Sequence, residues 1–357
     1  MDKDKAASNL KKSYTEYIRF KVFVLIILAL LSVLVALVAT SAGSSGLTLG
    51  QVISSLTGHG TKQTETIIFS IRLPRIVTAM VGGLGLAAVG CVMQSILRNP
   101  LASDSTLGVS QGAAFGASFA IIVLGAGIQN QTLDGVNITN PYIVSICAFV
   151  CSMLSTIIVL GLSRIKRITP EAMVLAGVAL SSLFAGGTTL LQYFAADVKL
   201  AAVVFWTFGD LGRTSWREVI IMGSLVAVTL TYFLFNRWNY NALQSGETSA
   251  KSLGVNTEVL RVVGMIICAL TSSVIVSFVG IINFVGLIAP HAMRRIVGSD
   301  YRFLLPASAM TGTLILLLSD TAARLVVAPV ILPIGAITSF LGAPIFLYLL
   351  YKGVPRR

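Results

Sequence analysis

Apolar runs of about twenty residues recur from Val22 to Tyr351, with only short polar stretches between them. About twenty apolar residues are what an α-helix needs to cross a bilayer. Lipid offers the backbone no partners, so each run must close its own hydrogen bonds as a helix. The runs are too long, and alternate too weakly, for barrel strands. Only 11% of the 357 residues are charged and the mean hydropathy is +0.87, against about 25% charge in soluble domains. The fold class is therefore an all-α polytopic membrane protein. One membrane domain over 22–352 is expected, with a basic tail 1–21 before it and a short tail 353–357 after it.

Reading runs against breakers predicts ten spans: 22–41, 75–97, 107–127, 142–163, 172–193, 217–236, 259–279, 281–296, 303–323 and 334–351. The eighth is short, and Pro290 is expected to kink or shorten it. The first follows a basic stretch, but its 18 apolar residues (Val22 to Ala39) exceed the usual 7 to 15 of a cleaved signal, so it reads as a retained helix. Cys91, Cys147, Cys151 and Cys268 all lie within apolar runs without C-x-x-C spacing and read as buried small residues.

Charge placement orients the chain. With ten spans, nineteen of the 26 Lys and Arg fall on the side of the N-terminus: six before the first span, then Arg98, Arg164, Lys166, Arg167, Arg237, Lys251, Arg261, Arg294, Arg295, Arg302, Lys352, Arg356 and Arg357. Lys62, Arg72, Arg75, Lys199, Arg213, Arg217 and Arg324 fall on the other side. The positive-inside bias puts both termini in the cytoplasm. The net charge of +12 thus reports topology and lipid headgroups, not nucleic acid. Two Asn-x-Thr triplets, at Asn130 and Asn137, match a glycosylation acceptor, but such triplets are common and no modification is assigned.

Small residues at helical spacing (Gly112, Gly116, Ala120; Gly82, Gly83, Gly85, Gly90) predict close helix packing within the subunit ahead of a dimer contact. No phosphate loop G-x-x-x-x-G-K-[ST] and no H-E-x-x-H occurs. His59 and His291 are far apart in sequence, and His291 reads as a packing residue, not a metal ligand. No acid sits mid-span: Glu171, Glu218, Glu258 and Asp320 are all near an end. Ion coupling lacks its usual carboxylate, so any pumping needs a motor on another chain.

Several polar strings mark the span ends. Ile71-Arg72-Leu73-Pro74-Arg75 opens the second span with two arginines on the side that should be poor in them, and Arg324 shares that side. They either snorkel to headgroups or form a basic patch for an acidic partner. On the other side stand Arg98-Asn99-Pro100-Leu101-Ala102 and Leu107-Gly108-Val109-Ser110. The long connection 242–256 places Leu243, Ala250, Leu253 and Val255 in a short amphipathic pattern stopped by Gly254. It is either a solvated loop or a docking element for a soluble partner.

With Gly246-Glu247, Phe284-Val285-Gly286-Leu287, Pro290-His291, Leu332-Pro333-Ile334-Gly335 and Gly342-Ala343-Pro344, these strings resemble one family, in its order and spacing, over about 67–352. It is the FecCD/BtuC-type permease family, the transmembrane subunits of type II ABC importers for iron-siderophores, haem and cobalamin. The resemblance implies a multi-pass protein of the bacterial cytoplasmic (inner) membrane and a permease that is not itself an enzyme. It also implies a second permease subunit, forming a homodimer or pseudo-symmetric dimer, two ATP-binding subunits that hold ATP and Mg, and an extracytoplasmic solute-binding protein. No cofactor is expected on this chain.

By the same resemblance, Arg72, Arg75 and Arg324 would meet acidic residues of the binding protein. Leu243, Gly246, Glu247, Ala250, Leu253 and Gly254 would couple to the ATPase. Asn99, Leu101, Thr169 and Pro170 would form the cytoplasmic gate, although Pro170 stands where the family commonly has a small polar residue. Trp206, Gly209 and Leu211 would belong to an outer gating helix. A ferric siderophore is the expected substrate, with haem or cobalamin as the alternative. An ion-coupled secondary carrier is the rival of a different class.

Overall fold

The computed structural model describes residues 2–43, 47–126, 140–166, 169–328 and 330–353. Both Asn-x-Thr triplets, Arg167, Pro329 and residues 354–357 lie outside them.

All described regular structure is helical. In chain order the helices are α1 (Asp2–Ser41), α2 (Leu49–Leu56), α3 (Lys62–Thr66), α4 (Leu73–Ile96), α5 (Val109–Ile122), α6 (Pro141–Lys166), α7 (Pro170–Tyr193) and α8 (Asp197–Thr207). They continue with α9 (Trp216–Phe235), α10 (Arg237–Gln244), α11 (Glu247–Ser252), α12 (Thr257–Val279), α13 (Val285–Val297), α14 (Tyr301–Leu325) and α15 (Ile334–Gly353). Each expected span carries a helix. Among the described residues, seven are long and apolar enough to cross a membrane: Tyr14–Ser41, Lys62–Ile96, Pro141–Ser163, Pro170–Tyr193, Trp216–Phe235, Thr257–Val279 and Tyr301–Leu325. Val109–Ile122 and Ile334–Leu349 are apolar but shorter, and α13 has only 13 residues around Pro290.

Three boundaries differ from the sequence expectation. Helical structure before α4 begins at Lys62 rather than Arg75, because a π-helical turn over Ile67–Arg72 joins α3 to α4. Pro74 has no N–H to give the carbonyl one turn back. The wider turn, in which Leu73 N–H donates to Ile68 O, carries the chain past it. α5 is shorter than expected, since 103–108 form a turn closed by Gly108 at φ 80°. α13 starts at Val285 because Gly280 and Phe284 take left-handed φ values, 85° and 67°, and break the chain between α12 and α13.

The core is built around α4, which is buried over most of its length and packs on α14, α12, α13 and α9. Glycine permits this closeness. A methyl group at Gly90 would overlap the Gly286 carbonyl of α13, and one at Gly83 the Gly312 carbonyl of α14. α5, α6 and α7 form a second group against α12. There Gly112 and Gly116 meet the backbone of α6 at Cys151 and Cys147, so the small-residue stripe is spent inside the subunit, as expected. All four cysteines are free, and Cys91 and Cys268 are buried. α1 lies along α14 and α15 along α14 and α13.

Candidate functional site

Two ends of the bundle carry the polar chemistry. At the end where α1 stops, Asp320 of α14 is fully buried, 0% exposed. Its Oδ1 accepts from Arg75 Nε at 2.8 Å and its Oδ2 from Arg324 Nε at 2.9 Å. Arg75 also lies 3.6 Å from Asp210. Arg324 donates to the carbonyls of Ala42 (2.6 Å) and Ala39 (3.1 Å), and Arg72 to those of Thr40 and Ser41. Two guanidinium groups therefore cap the C-terminus of α1, where the helix leaves carbonyls unpaired and the macrodipole is negative. Arg72, Arg75 and Arg324 thus come together, as their shared side in the sequence suggests. Each is engaged within the subunit and Arg72 is only 8% exposed. The sequence reading missed Asp320, the carboxylate that Arg75 and Arg324 share.

Beside this cluster, the end of α8 is fixed by backbone bonds. Asp210 N–H donates to Val279 O at 2.8 Å and Gly335 N–H to Phe208 O at 3.0 Å. Gly209 takes φ 72° there, and a Cβ on it would lie 2.7 Å from Ile281 O. Trp206 and Leu211 are buried at this junction of α8, α12 and α15. Arg213 donates to the carbonyls of Phe205 and Trp206, so it closes α8 as a C-cap.

At the opposite end α10 and α11 form a bracket between α14 and α12. Asn241 Nδ2 donates to Asp300 Oδ1 at 3.0 Å, while Asn241 Oδ1 accepts from Tyr301 N–H at 2.8 Å. This holds α10 to the start of α14. Tyr301 in turn donates to Cys91 O at 2.6 Å and so reaches α4. Gly246 turns the chain at φ 113°, and α11 then closes in a Schellman motif: Val255 N–H donates to Ala250 O and Gly254 N–H to Lys251 O, with Gly254 at φ 82°. Leu243 and Ala250 are buried, whereas Leu253 is 71% exposed.

Glu247 turns inward. It accepts from Arg261 Nη2 at 3.0 Å and from Thr257 Oγ1 at 3.3 Å, and pairs with Lys251 at 3.2 Å. Burial alone would raise the Glu247 carboxyl, but the hydrogen bonds from Lys251 and Arg261 outweigh it and hold the group below its ordinary value.

A cavity of about 630 Å³ opens beside this bracket, lined among others by Thr169, Pro170, Glu247, Lys251, Glu258 and Arg261. Thr169 is the N-cap of α7, accepting from Ala172 N–H at 3.4 Å, and Pro170 is its first residue. Proline is at home there, since that N–H has no partner inside the helix. The structure thus brings Thr169 and Pro170 beside Glu247 and Lys251 of α11. Asn99 and Leu101 do not line this cavity. Asn99 Oδ1 accepts from Leu101 N–H at 2.9 Å and so shapes the turn across Pro100, leaving Leu101 exposed. Arg261 was not singled out from sequence, where its only signal was a place in the charge count.

His291 packs edge-on to Phe346 at 6.0 Å between ring centres. Among the described residues no group of His, Cys, Asp or Glu could hold a metal ion.

The model of the FecCD transport family matches residues 25–352. The chain belongs to the FecCD transport family. Among its relatives is a protein of Methanocaldococcus jannaschii named as an ABC transporter permease, MJ0087, 54% identical over 86% of this chain and 87% of that one. The hemin transport system permease HmuU of Yersinia pestis is 35% identical (80% and 82% covered), and the vitamin B12 import permease BtuC of Shigella boydii 36% (86% and 90%). A solved structure described as an inward-facing conformation of a metal-chelate type ABC transporter superposes with a TM-score of 0.81 at 31% identity, covering 92% of this chain and 98% of that one.

As a member of the family, the chain is the transmembrane permease subunit of an ABC importer, a multi-pass protein of the cytoplasmic membrane and not an enzyme. ATP-binding subunits and a binding protein are the general architecture of such importers.

Proposed function

We propose that this permease pairs with a second copy of itself around a central path and admits a metal chelate by alternating access. Two separate ATPase subunits, carrying ATP and Mg, supply the work, and an extracytoplasmic binding protein supplies the substrate. Ten spans over 22–352 with both termini in the cytoplasm fit this arrangement, with α10 and α11 inside and the Asp320 cluster outside. The Lys and Arg asymmetry supports that orientation.

The observation that carries the reading is the cavity joining the coupling segment to the start of α7. A push on α11 arrives within one cavity's width of Thr169 and Pro170, the expected gate. Exposed Leu253 is the apolar contact α11 offers to an ATPase, with Gly246 and Gly254 bounding the helix and Leu243 and Ala250 rooting it. Asn99 and Leu101 shape a second gate element from the α4 to α5 turn. On the outer face, Arg72, Arg75 and Arg324 are proposed to receive acidic residues of the binding protein, which would compete with the α1 carbonyls and Asp320 for the guanidinium groups.

For the substrate, relatives named for hemin and vitamin B12 stand beside one named for Fe(3+)-citrate at 34% identity. A haem- or cobalamin-like chelate is supported better than a ferric siderophore, which becomes the second reading. The test is competition. In proteoliposomes holding the complete importer, unlabelled haem and cobalamin are each set against a labelled ferric siderophore for uptake. Inhibition by haem or cobalamin at equimolar amounts is expected. Siderophore uptake indifferent to both would reverse the order of the two readings.

A further inference from the structure

Arg261 stands where α11, α12 and the start of α7 meet. It lies in the second turn of α12, and its Nη2 binds Glu247, the first residue of α11, at 3.0 Å. Its Nε is buried without a hydrogen-bond partner among the described residues. Its side chain lines the cavity shared with Thr169 and Pro170 at the start of α7. Glu247 has an alternative cation, Lys251, one turn along its own helix at 3.2 Å. The ion pair can therefore be exchanged without stranding the carboxylate.

The surroundings make this pair directional. At its other root the bracket is held by the reciprocal Asn241 bonds to Asp300 and Tyr301, which tie α10 to α14. A displacement of α11 about that anchor changes first the distance to α12, and Glu247–Arg261 is the ion pair spanning that gap among the described residues. A buried donor left without a partner is costly, and Arg261 Nε is such a donor beside the cavity that reaches the start of α7.

We propose that Arg261 is a positioning residue that transmits movement of α11 to the starts of α12 and α7, through its ion pair with Glu247 and the cavity wall it shares with Thr169 and Pro170. The proposal rests on the reading of 242–256 as the ATPase-coupling segment and adds the residue through which that segment reaches the gate.

The test uses the complete importer in proteoliposomes with Arg261→Gln, with Glu247→Arg, and with the exchanged pair Glu247→Arg/Arg261→Glu. The readouts are ATPase co-purification, ATP hydrolysis and substrate moved per ATP. Arg261→Gln is expected to retain the ATPase and to hydrolyse ATP within about twofold of the parent, while transport per ATP falls about tenfold, within the usual span of coupling between sites. The exchanged pair is expected to recover transport to within about threefold of the parent, which a merely structural role for Arg261 would not produce. Parent-like transport per ATP in Arg261→Gln, or an exchanged pair no better than the single variants, would overturn the proposal. So would loss of the ATPase from Arg261→Gln, which would make Arg261 a docking contact. If Arg261→Gln does not accumulate in the membrane, the exchanged pair decides by the same criterion. Leu253→Asp separates the underlying reading: it should release the ATPase, and retention there would count against the coupling segment itself rather than against Arg261.

Discussion

At the scale of single residues, the chain spends its few charges on fixed internal partners. Asp320 is fully buried between two guanidinium groups, and removing one partner of a buried ion pair costs about 3–5 kcal/mol. Asp320→Asn keeps the shape but leaves Arg324 without its anion and Arg75 with only the longer contact to Asp210, so it should lower the thermal unfolding temperature in detergent markedly. A variant as stable as the parent would show that the cluster contributes no net stability. Asp104, in the connection between α4 and α5, behaves oppositely. Burial pushes its carboxyl up to about 6 from 3.8. The folded state therefore holds the proton more tightly than the unfolded chain, and stability is lost as pH rises from about 4 to 6. Asp104→Asn should be more stable than the parent by on the order of 2–3 kcal/mol at about pH 7.5, with the gap narrowing toward pH 5. Unfolding curves at the two pH values check this, and a gap independent of pH would contradict it. Neither partnership was legible in the sequence: Arg75 and Asp320 are 245 positions apart, and Asp104 carries no local mark of burial.

At the scale of elements, the long helices were legible because a twenty-residue apolar run has only one way to cross lipid. The short ones were not. α2 and α3 lie in a stretch without an apolar run, and the π-helical turn before Pro74 answers a proline that reads simply as a helix start. The Gly254 stop of α11 was legible because a Schellman ending demands a left-handed residue. The direction of Glu247 was not, because its partner belongs to the next helix. Glycines predicted close packing but not which helix each one meets. Gly90 meets Gly286 backbone to backbone, and overpacking of this kind costs about 1–3 kcal/mol or more. Gly90→Ala is therefore expected to lose thermal stability while Gly161→Ala, with open space around it, does not. Equal unfolding temperatures for the two would contradict the packing described between α4 and α13.

At the scale of the whole molecule, the chain has helices to build a path but neither a phosphate loop nor a mid-span carboxylate to drive one. Family membership accounts for this division of labour, because the general architecture of such importers places ATP hydrolysis and substrate capture on separate chains. The structure adds a layout, with Asp320 bonded to two arginines at one end and, at the other, α10 tied to α14 through Asn241 and α11 to α12 through Glu247. The most direct measurement is uptake of a labelled metal chelate into proteoliposomes. One set holds the chain alone under an imposed proton or sodium gradient, and the other the chain with ATPase subunits, binding protein and ATP. Uptake only in the complete, ATP-supplied set is the predicted result. Gradient-driven uptake by the chain alone would contradict the account.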